Sequence, residues 1–294
     1  GTVLSAAAGA GLGHAVVGSV PPAASAAIAD GSTGIELTHT QVKEWAGSRA
    51  AMTWGDLSDE DQIPHAINLV EYWNYCQQLV SESKANPGDD LVGDMVRLQA
   101  EGNEINDHEI ASFLYSLLSA GHETTTTLIS NALRVLLAHP GQSRQLGEGN
   151  SVIPAAIDEV LRFSPSIVAW RRKAVIDTEI GGVPIPAGSN VLLVMGSANR
   201  DESVFAEPDL FDIARKNAPS LPSFGFGIHY CLGNLLAKLQ VRVVLEEITA
   251  KIPDLALVPG QEIAFGDNLS FRAPTAVAVT LCVGRRSSGS TPSP

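Results

Sequence analysis

From Thr38 onward the apolar positions recur at helical spacing. Gln41 to Trp54 and Ile63 to Lys84 read as amphipathic helices, the second with an apolar face of Ile67, Val70, Trp73, Cys76 and Val80. Asn86-Pro87-Gly88 breaks the chain, and Asp90 to Gln99 restarts a helix. Asn106, with Glu109 three residues on, forms a capping box. The pattern that follows runs unbroken to His139-Pro140, where proline must end it. A helix of about 32 residues is roughly 48 Å long, so it should cross the core of a large domain. Residues 152–163 form another helix. The period then falls to two: Ala174 to Ile180 alternates, Gly181-Gly182 turns, and Ser189 to Met195 is an apolar run. Proline-rich irregular chain fills 205–223, a helix runs from Asn234 to Ile248, and Glu262 to Leu281 reads as a closing β-hairpin. The fold predicted is mainly α with a smaller β region, without internal repeats.

The ends differ in character. Residues 1–34 are rich in Ala, Gly, Ser and Val without a helical stripe, and 284–294 are rich in Ser, Pro and Gly, so both are expected to be weakly ordered. The leader has neither a basic start nor a Leu/Ile/Phe-rich apolar run, which argues against a signal peptide. Gly1 is no initiator methionine, so a processed chain or a fragment is expected. The 294 residues are 45% hydrophobic and 17% charged, enough to bury a sizeable core. A net charge of -13 argues against nucleic acid and anionic membranes as partners. No stretch is long and apolar enough for a membrane span. Cys76, Cys231 and Cys282 are too few and too scattered for a disulfide framework, so a reducing, cytoplasmic setting is expected.

Candidate chemistry gathers at Phe224-Gly225-Phe226-Gly227-Ile228-His229-Tyr230-Cys231-Leu232-Gly233. One cysteine closes a glycine-broken loop directly before a helix. The positive helix end and its free N–H groups favour a thiolate there. Gly225 and Gly227 permit a tight loop under a flat ligand, Gly233 permits close backbone approach, and Phe224 offers an aromatic face. A lone cysteine is ordinarily a buried small hydrophobe, but the spacing F-G-x-G-x-H-x-C-x-G is rarely met by chance. Inside the long helix, Ala120-Gly121-His122-Glu123-Thr124-Thr125 puts Ala120, Gly121 and Thr124 on one face. A mid-helix glycine costs about 1 kcal/mol against alanine and asks for a reason. Close helix packing is one. The other is a flat ligand approaching the backbone, helped by a Thr124 bond to the Ala120 carbonyl that opens a notch. Glu159 and Arg162 stand at i, i+3 among apolar neighbours, where burial would demand further partners.

At the Cys231 loop the chain resembles the cytochrome P450 family of the bacterial, soluble type. The resemblance covers about Gln41 to Cys282 and three motifs in the family's order. It implies haem b held by Cys231 as the iron's thiolate ligand, with Phe224, Gly225, Gly227, His229, Gly233, Ala120 and Gly121 around it. It implies that Thr124 hydrogen-bonds iron-bound oxygen, and that Glu123 relays protons. His122 gains no role and reads as a surface or packing residue. Glu159 and Arg162 match the E-x-x-R motif, and Arg215 fits the arginine that completes a structural triad. Arg172, and less directly Arg171, would pair with a propionate, as would His229. The activity implied is insertion of one atom of O2 into a small apolar substrate, with electrons from a separate ferredoxin-type partner. Phe113, Leu117, Ile167, Val168, Ala169 and Leu269 are candidate walls for that substrate. Lys238, Arg242 and Lys216 are either the partner's docking face or ordinary surface charges.

Two departures stand out. Leu221 occupies a position where relatives carry a propionate-binding histidine. Residues 1–40 lack the helices, first strands and basic residues of the family's N-terminal third; no Lys or Arg precedes Lys43. The layout expected is therefore a leader over 1–40, a haem-thiolate domain over 41–283 that is N-terminally truncated, and a tail over 284–294. A haem-binding remnant without turnover and a non-catalytic accessory protein remain alternatives to a working monooxygenase.

Overall fold

The computed structural model describes residues 14–17, 39–218 and 222–281. Most of the leader, the tail, Cys282 and Leu221 lie outside the described residues. Helix α1 spans His39–Trp54, α2 Asp59–Ala85, α3 Leu91–Ala100 and α4 Asp107–Ala138. A short α5 (Pro140–Ser143) leads through 3-10 turns to α6 (Ile153–Phe163); α7 (Met195–Ala198) and α8 (Asn234–Lys251) follow. Caps fix several starts. The Ser58 side chain accepts from Asp61 N, Asp90 from Gly93 N, and at Asn106 both halves of the expected capping box are present.

Helix α4 joins two cores. Its first half, including Ile110, Leu114 and Leu118, packs with Trp45 of α1, Tyr72, Cys76 and Leu79 of α2, and Val92 and Val96 of α3. Its second half, Leu128 to Leu136, packs with Ile153, Ile157 and Val160 of α6 and Val241 and Leu245 of α8. Ala120 to Thr124 lies between them. The 32-residue length of the helix therefore follows from its having two separate faces to bury.

The apolar face expected on α2 is corrected. Tyr72, Tyr75, Cys76, Leu79 and Val80 are buried, whereas Ile67 and Val70 are exposed. The aromatic rings decide the rotation: Trp45 stacks on Tyr72 and Tyr72 on Tyr115, at centroid distances of 5.2 and 4.4 Å.

The strands also differ from expectation. β2 (Trp170–Lys173) pairs antiparallel with β5 (Asn190–Leu193), and β3 (Thr178–Ile180) with β4 (Val183–Ile185) across Gly181-Gly182. The single strand expected over 174–180 is split, because Ala174 accepts from Gly188 N and the Asp177 side chain accepts from Ala187 N. Glu262 to Leu281 is not one hairpin. Its end, β7 (Val277–Leu281), pairs with β6 (Leu255–Leu257), and only a bridge joins Phe265 to Pro274. β1 (His14–Val17) takes the other edge of β7. Its Ala15-Val16-Val17 run suits an open sheet edge.

Candidate active site

Cys231 sits where the 222–233 loop meets α8. Its N–H donates to the Phe224 carbonyl at 2.9 Å, and its carbonyl accepts from the Asn234 Nδ2 at 2.8 Å. Gly225 and Gly227 have φ of 78° and 66°, in the region that favours glycine, so the loop's tightness requires them. A Cβ at Gly227 or Gly233 would meet nothing within 4 Å, so both face open space. The thiol is half-buried. Burial pushes its pKa up, and the Gly233 N–H, one of the helix-start donors expected to favour a thiolate, only partly offsets this. His229 and Tyr230 are exposed, as are Phe226, Ile228 and Leu232.

Across from this loop in sequence, α4 carries Ala120 and Gly121 exposed, and a Cβ on Gly121 would meet nothing within 4 Å. Thr124 Oγ1 donates to the Ala120 carbonyl at 2.7 Å, as expected, and Ser166 Oγ donates to the Thr124 carbonyl at 2.8 Å. The helix nonetheless stays continuous, so the opening comes from missing side chains and not from a broken ladder. Glu123 is largely buried, and desolvation holds its carboxyl above the usual carboxylate range, partly offset by Lys43. His122 is buried, with Nε2 3.9 Å from Glu123 Oε1, which places it among packing residues.

The triad is assembled. Glu159 and Arg162 are both 0% exposed; Arg162 Nε and Nη2 donate to the two Glu159 oxygens at 2.8 and 2.7 Å. Arg215 Nε reaches Glu159 Oε2 at 3.3 Å, and Asp212 N donates to Oε1 at 2.9 Å. The remaining donors hold carbonyls of the preceding segment: Arg162 those of Asn199, Pro208 and Leu210, and Arg215 those of Ala206, Glu207 and Leu210. Glu207 takes φ 46° there, an uncommon angle that aims its carbonyl at Arg215.

Sequence reasoning missed the link from this network to the cysteine loop. Asn199, 0% exposed, offers its carbonyl to Arg162 and donates from Nδ2 to Ser223 Oγ at 2.9 Å. Ser223 Oγ in turn donates to the Leu161 carbonyl at 2.9 Å. Gln142 braces the same region by bonding both Phe211 O and Ile213 N. Neither Asn199 nor Gln142 sits in a spacing pattern; only their hydrogen bonds in the folded chain reveal them.

Other expected residues are placed less favourably. Arg172 is exposed on β2, its Nη1 on the Arg171 carbonyl, while Arg171 lies over the Trp54 ring at 4.6 Å. Strand alternation sends these two arginines to opposite faces. Among the wall candidates, Ile167 bridges to Phe271 and Val168 N bonds the Ser270 carbonyl, which brings 167–168 beside Leu269. Ala169 is instead buried, with Ser270 Oγ on its carbonyl. Lys238 is tied to Asp158 at 2.6 Å and Arg242 to Glu246 at 2.7 Å.

These features fit a flat, metal-centred macrocycle. Among the described residues no group of three His, Cys, Asp or Glu side chains could hold a metal ion. A single cysteine donor therefore suits an ion that arrives with most of its ligands. The side-chain-free surface at Gly121 on α4, and that at Gly227 and Gly233 in a loop with exposed Phe226, Ile228 and Leu232, are surfaces such a ring could cover. Among the described residues, no helix is long and apolar enough to cross a membrane.

Comparison with known proteins gives the arrangement a family. Residues 71–250 match the family model of Cytochrome P450. The chain is 38% identical over 225 residues to the Erythromycin C-12 hydroxylase of Saccharopolyspora erythraea, covering 75% of this chain and 56% of that protein. It is 34% identical over 216 residues to the Steroid C26-monooxygenase of Rhodococcus jostii, covering 74% of this chain and 45% of that one. A structure of cytochrome P450 CREJ in complex with (4-ethylphenyl) dihydrogen phosphate superposes with a TM-score of 0.85 at 59% identity, covering 90% of this chain and 64% of that one. The chain thus spans about half the length of the curated relatives it matches. With a family match over more than half of its residues, and relatives above 30% identity, this chain belongs to the cytochrome P450 family.

Proposed function

We propose that the protein is a haem-thiolate monooxygenase that inserts one atom of O2 into a small apolar substrate, with electrons from a ferredoxin-type partner. The observation that carries this is the Cys231 loop: two left-handed glycines, a Phe224 carbonyl bond and a helix start together present one thiol beside an open apolar surface. Haem b, when bound through Cys231, supplies oxygen activation; thiolate donation favours O–O cleavage. A metal ion held by Cys231 would bind it as the thiolate.

The chain's own groups do the rest in this reading. Thr124 Oγ1 spends its proton on the Ala120 carbonyl and keeps its lone pairs free to accept a bond at the open face of α4. Glu123, whose carboxyl burial pushes above the usual carboxylate range, is assigned to passing protons on through water. The Glu159–Arg162–Arg215 network acts on position: through Asn199 and Ser223 it fixes the loop that carries Cys231. Arg172 and His229, exposed and without acidic partners among the described residues, are assigned to the propionates. Lys216, exposed with no ion pair among the described residues, is the strongest of the three docking candidates, since Lys238 and Arg242 are partly neutralised. On its identity with the P450 CREJ structure, an alkylaryl phosphate is the first substrate to try. A second reading, haem binding without turnover, draws on the exposed apolar side chains Leu235, Leu236, Leu239 and Val243 along α8.

The test is the difference spectrum of the reduced, haem-reconstituted protein with CO. A red-shifted Soret band that Cys231→Ala abolishes supports the assignment; the same band in Cys231→Ala refutes it. A band without product from 4-ethylphenyl phosphate or from small apolar substrates, given redox partners, selects the second reading.

A further inference from the structure

Arg134 projects from α4 ten residues beyond Thr124, about 15 Å along the helix, in a part of the molecule the proposed chemistry leaves unused. Its guanidinium carbon lies 5.5 Å from the Phe265 ring centroid, and that of Arg272 lies 4.3 Å from the same ring. Arg272 is held there by its backbone: its N–H donates to the Ser166 carbonyl at 3.0 Å, and its carbonyl accepts from the fully buried Asn131 Nδ2 at 3.1 Å. Arg134 Nη2 donates to Ser164 Oγ at 2.7 Å, while its Nε is buried with no acceptor.

Two cations gathered on one ring repel unless an anion joins them. Among the described residues neither arginine has a carboxylate within ion-pair distance, although acidic residues outnumber basic ones, 32 to 19. Burial, and then Arg272, hold the Arg134 guanidinium below its ordinary range. Among the described residues Ser164 Oγ is the one hydrogen-bond acceptor either guanidinium has, which leaves N–H groups of both forks for an oxygen ligand. The Ser164 hydroxyl, already accepting from Arg134, still has its own proton to donate.

We propose that Arg134, Arg272 and Ser164 form a binding site for a phosphate-type oxyanion. A tetrahedral oxyanion offers the two guanidinium forks a pair of oxygen edges that share one oxygen, and its fourth oxygen to the hydroxyl, and it removes the charge repulsion. The site needs no haem, so it stands or falls independently of the function proposed above.

Isothermal titration of the purified chain with inorganic phosphate, in a low-salt chloride background, tests it. Saturable binding is expected. Arg272→Gln weakens it by about tenfold or more, the loss expected for charge-assisted hydrogen bonds. Arg134→Lys, which keeps the charge and loses the fork, weakens it by a smaller factor. Arg272 is exposed, so its variant retains the fold, and circular dichroism of both variants checks this. Phenyl phosphate binding more tightly than inorganic phosphate, with the same dependence on Arg272, points to a phosphate ester as the ligand; the reverse order points to the free ion. Absence of saturable binding, or binding unchanged in both variants, overturns the proposal.

Discussion

Replacing Glu159 with glutamine should cost the folded chain about 3–5 kcal/mol, the usual penalty for breaking a buried ion pair by removing one partner. The structure says why the value belongs at that end of the scale. Both partners are fully buried, so no water can solvate the Arg162 charge left behind. The neutral amide also turns one acceptor into a donor facing Arg162, which already donates to it through both Nε and Nη2. Arg215 Nε and Asp212 N lose their charged acceptor at the same time. For a domain of this size each kcal/mol lowers the melting temperature by about 2–4 °C, so a drop on the order of 10 °C is expected in calorimetry of the unliganded chain. The double variant Glu159→Leu, Arg162→Met separates charge from architecture. If unpaired charge is the whole cost, it recovers most of the stability. The geometry predicts only partial recovery, because Arg162 also satisfies the carbonyls of Asn199, Pro208 and Leu210, which methionine cannot. A Glu159→Gln melting temperature within about 2 °C of the parent's would refute this account, since a shift below about 1 kcal/mol means the pair is not desolvated as described.

Gly93→Ala should destabilise by about 1–3 kcal/mol or more, since the new Cβ would sit 2.1 Å from the Gly88 carbonyl oxygen, a backbone atom that cannot step aside; urea denaturation reads it. Gly121→Ala should do the reverse, stabilising the unliganded chain by up to about 1 kcal/mol, because its Cβ meets nothing and alanine is the better helix former. Gly121→Phe should leave the melting temperature near the parent's yet reduce haem uptake on reconstitution, measured by Soret absorbance; unchanged uptake would remove Gly121 from the site. Burial raises the folded-state pKa of Glu123 above its unfolded value, so the folded state binds more protons, and stability falls as pH rises through that window. Glu123→Gln should flatten that fall and melt higher than the parent near pH 7, with little difference at pH 4; a parallel pair of pH curves would contradict the shift.

Much of this was legible in the chain. Asn106 and Glu109 announce the start of α4 and His139-Pro140 its end, because caps and prolines act through backbone bonds only a few residues apart. The Cys231 loop was equally readable: Gly225 and Gly227 stand where left-handed angles are required, a demand local to the turn. The i, i+3 spacing of Glu159 and Arg162 indicated a pair, but not that it is entirely buried.

Long-range choices were not in the sequence. The rotation of α2, which hides Tyr72 and exposes Ile67, was set by the aromatic stack with Trp45 and Tyr115, residues far apart in the chain. The fate of β7 depended on which edges were open, so it joined β6 and β1 rather than its hairpin neighbour. Asn199 and Ser223 belong to no motif, and became the link between the triad and the cysteine loop only when folding brought them together. The Cys231 thiol shows the division most clearly. The sequence determined that one sulfur stands at a helix start beside glycines, because spacing and backbone freedom are local properties. Tertiary burial decided which way its pKa moves, since desolvation by the surrounding chain outweighs the single N–H that the helix end turns toward it.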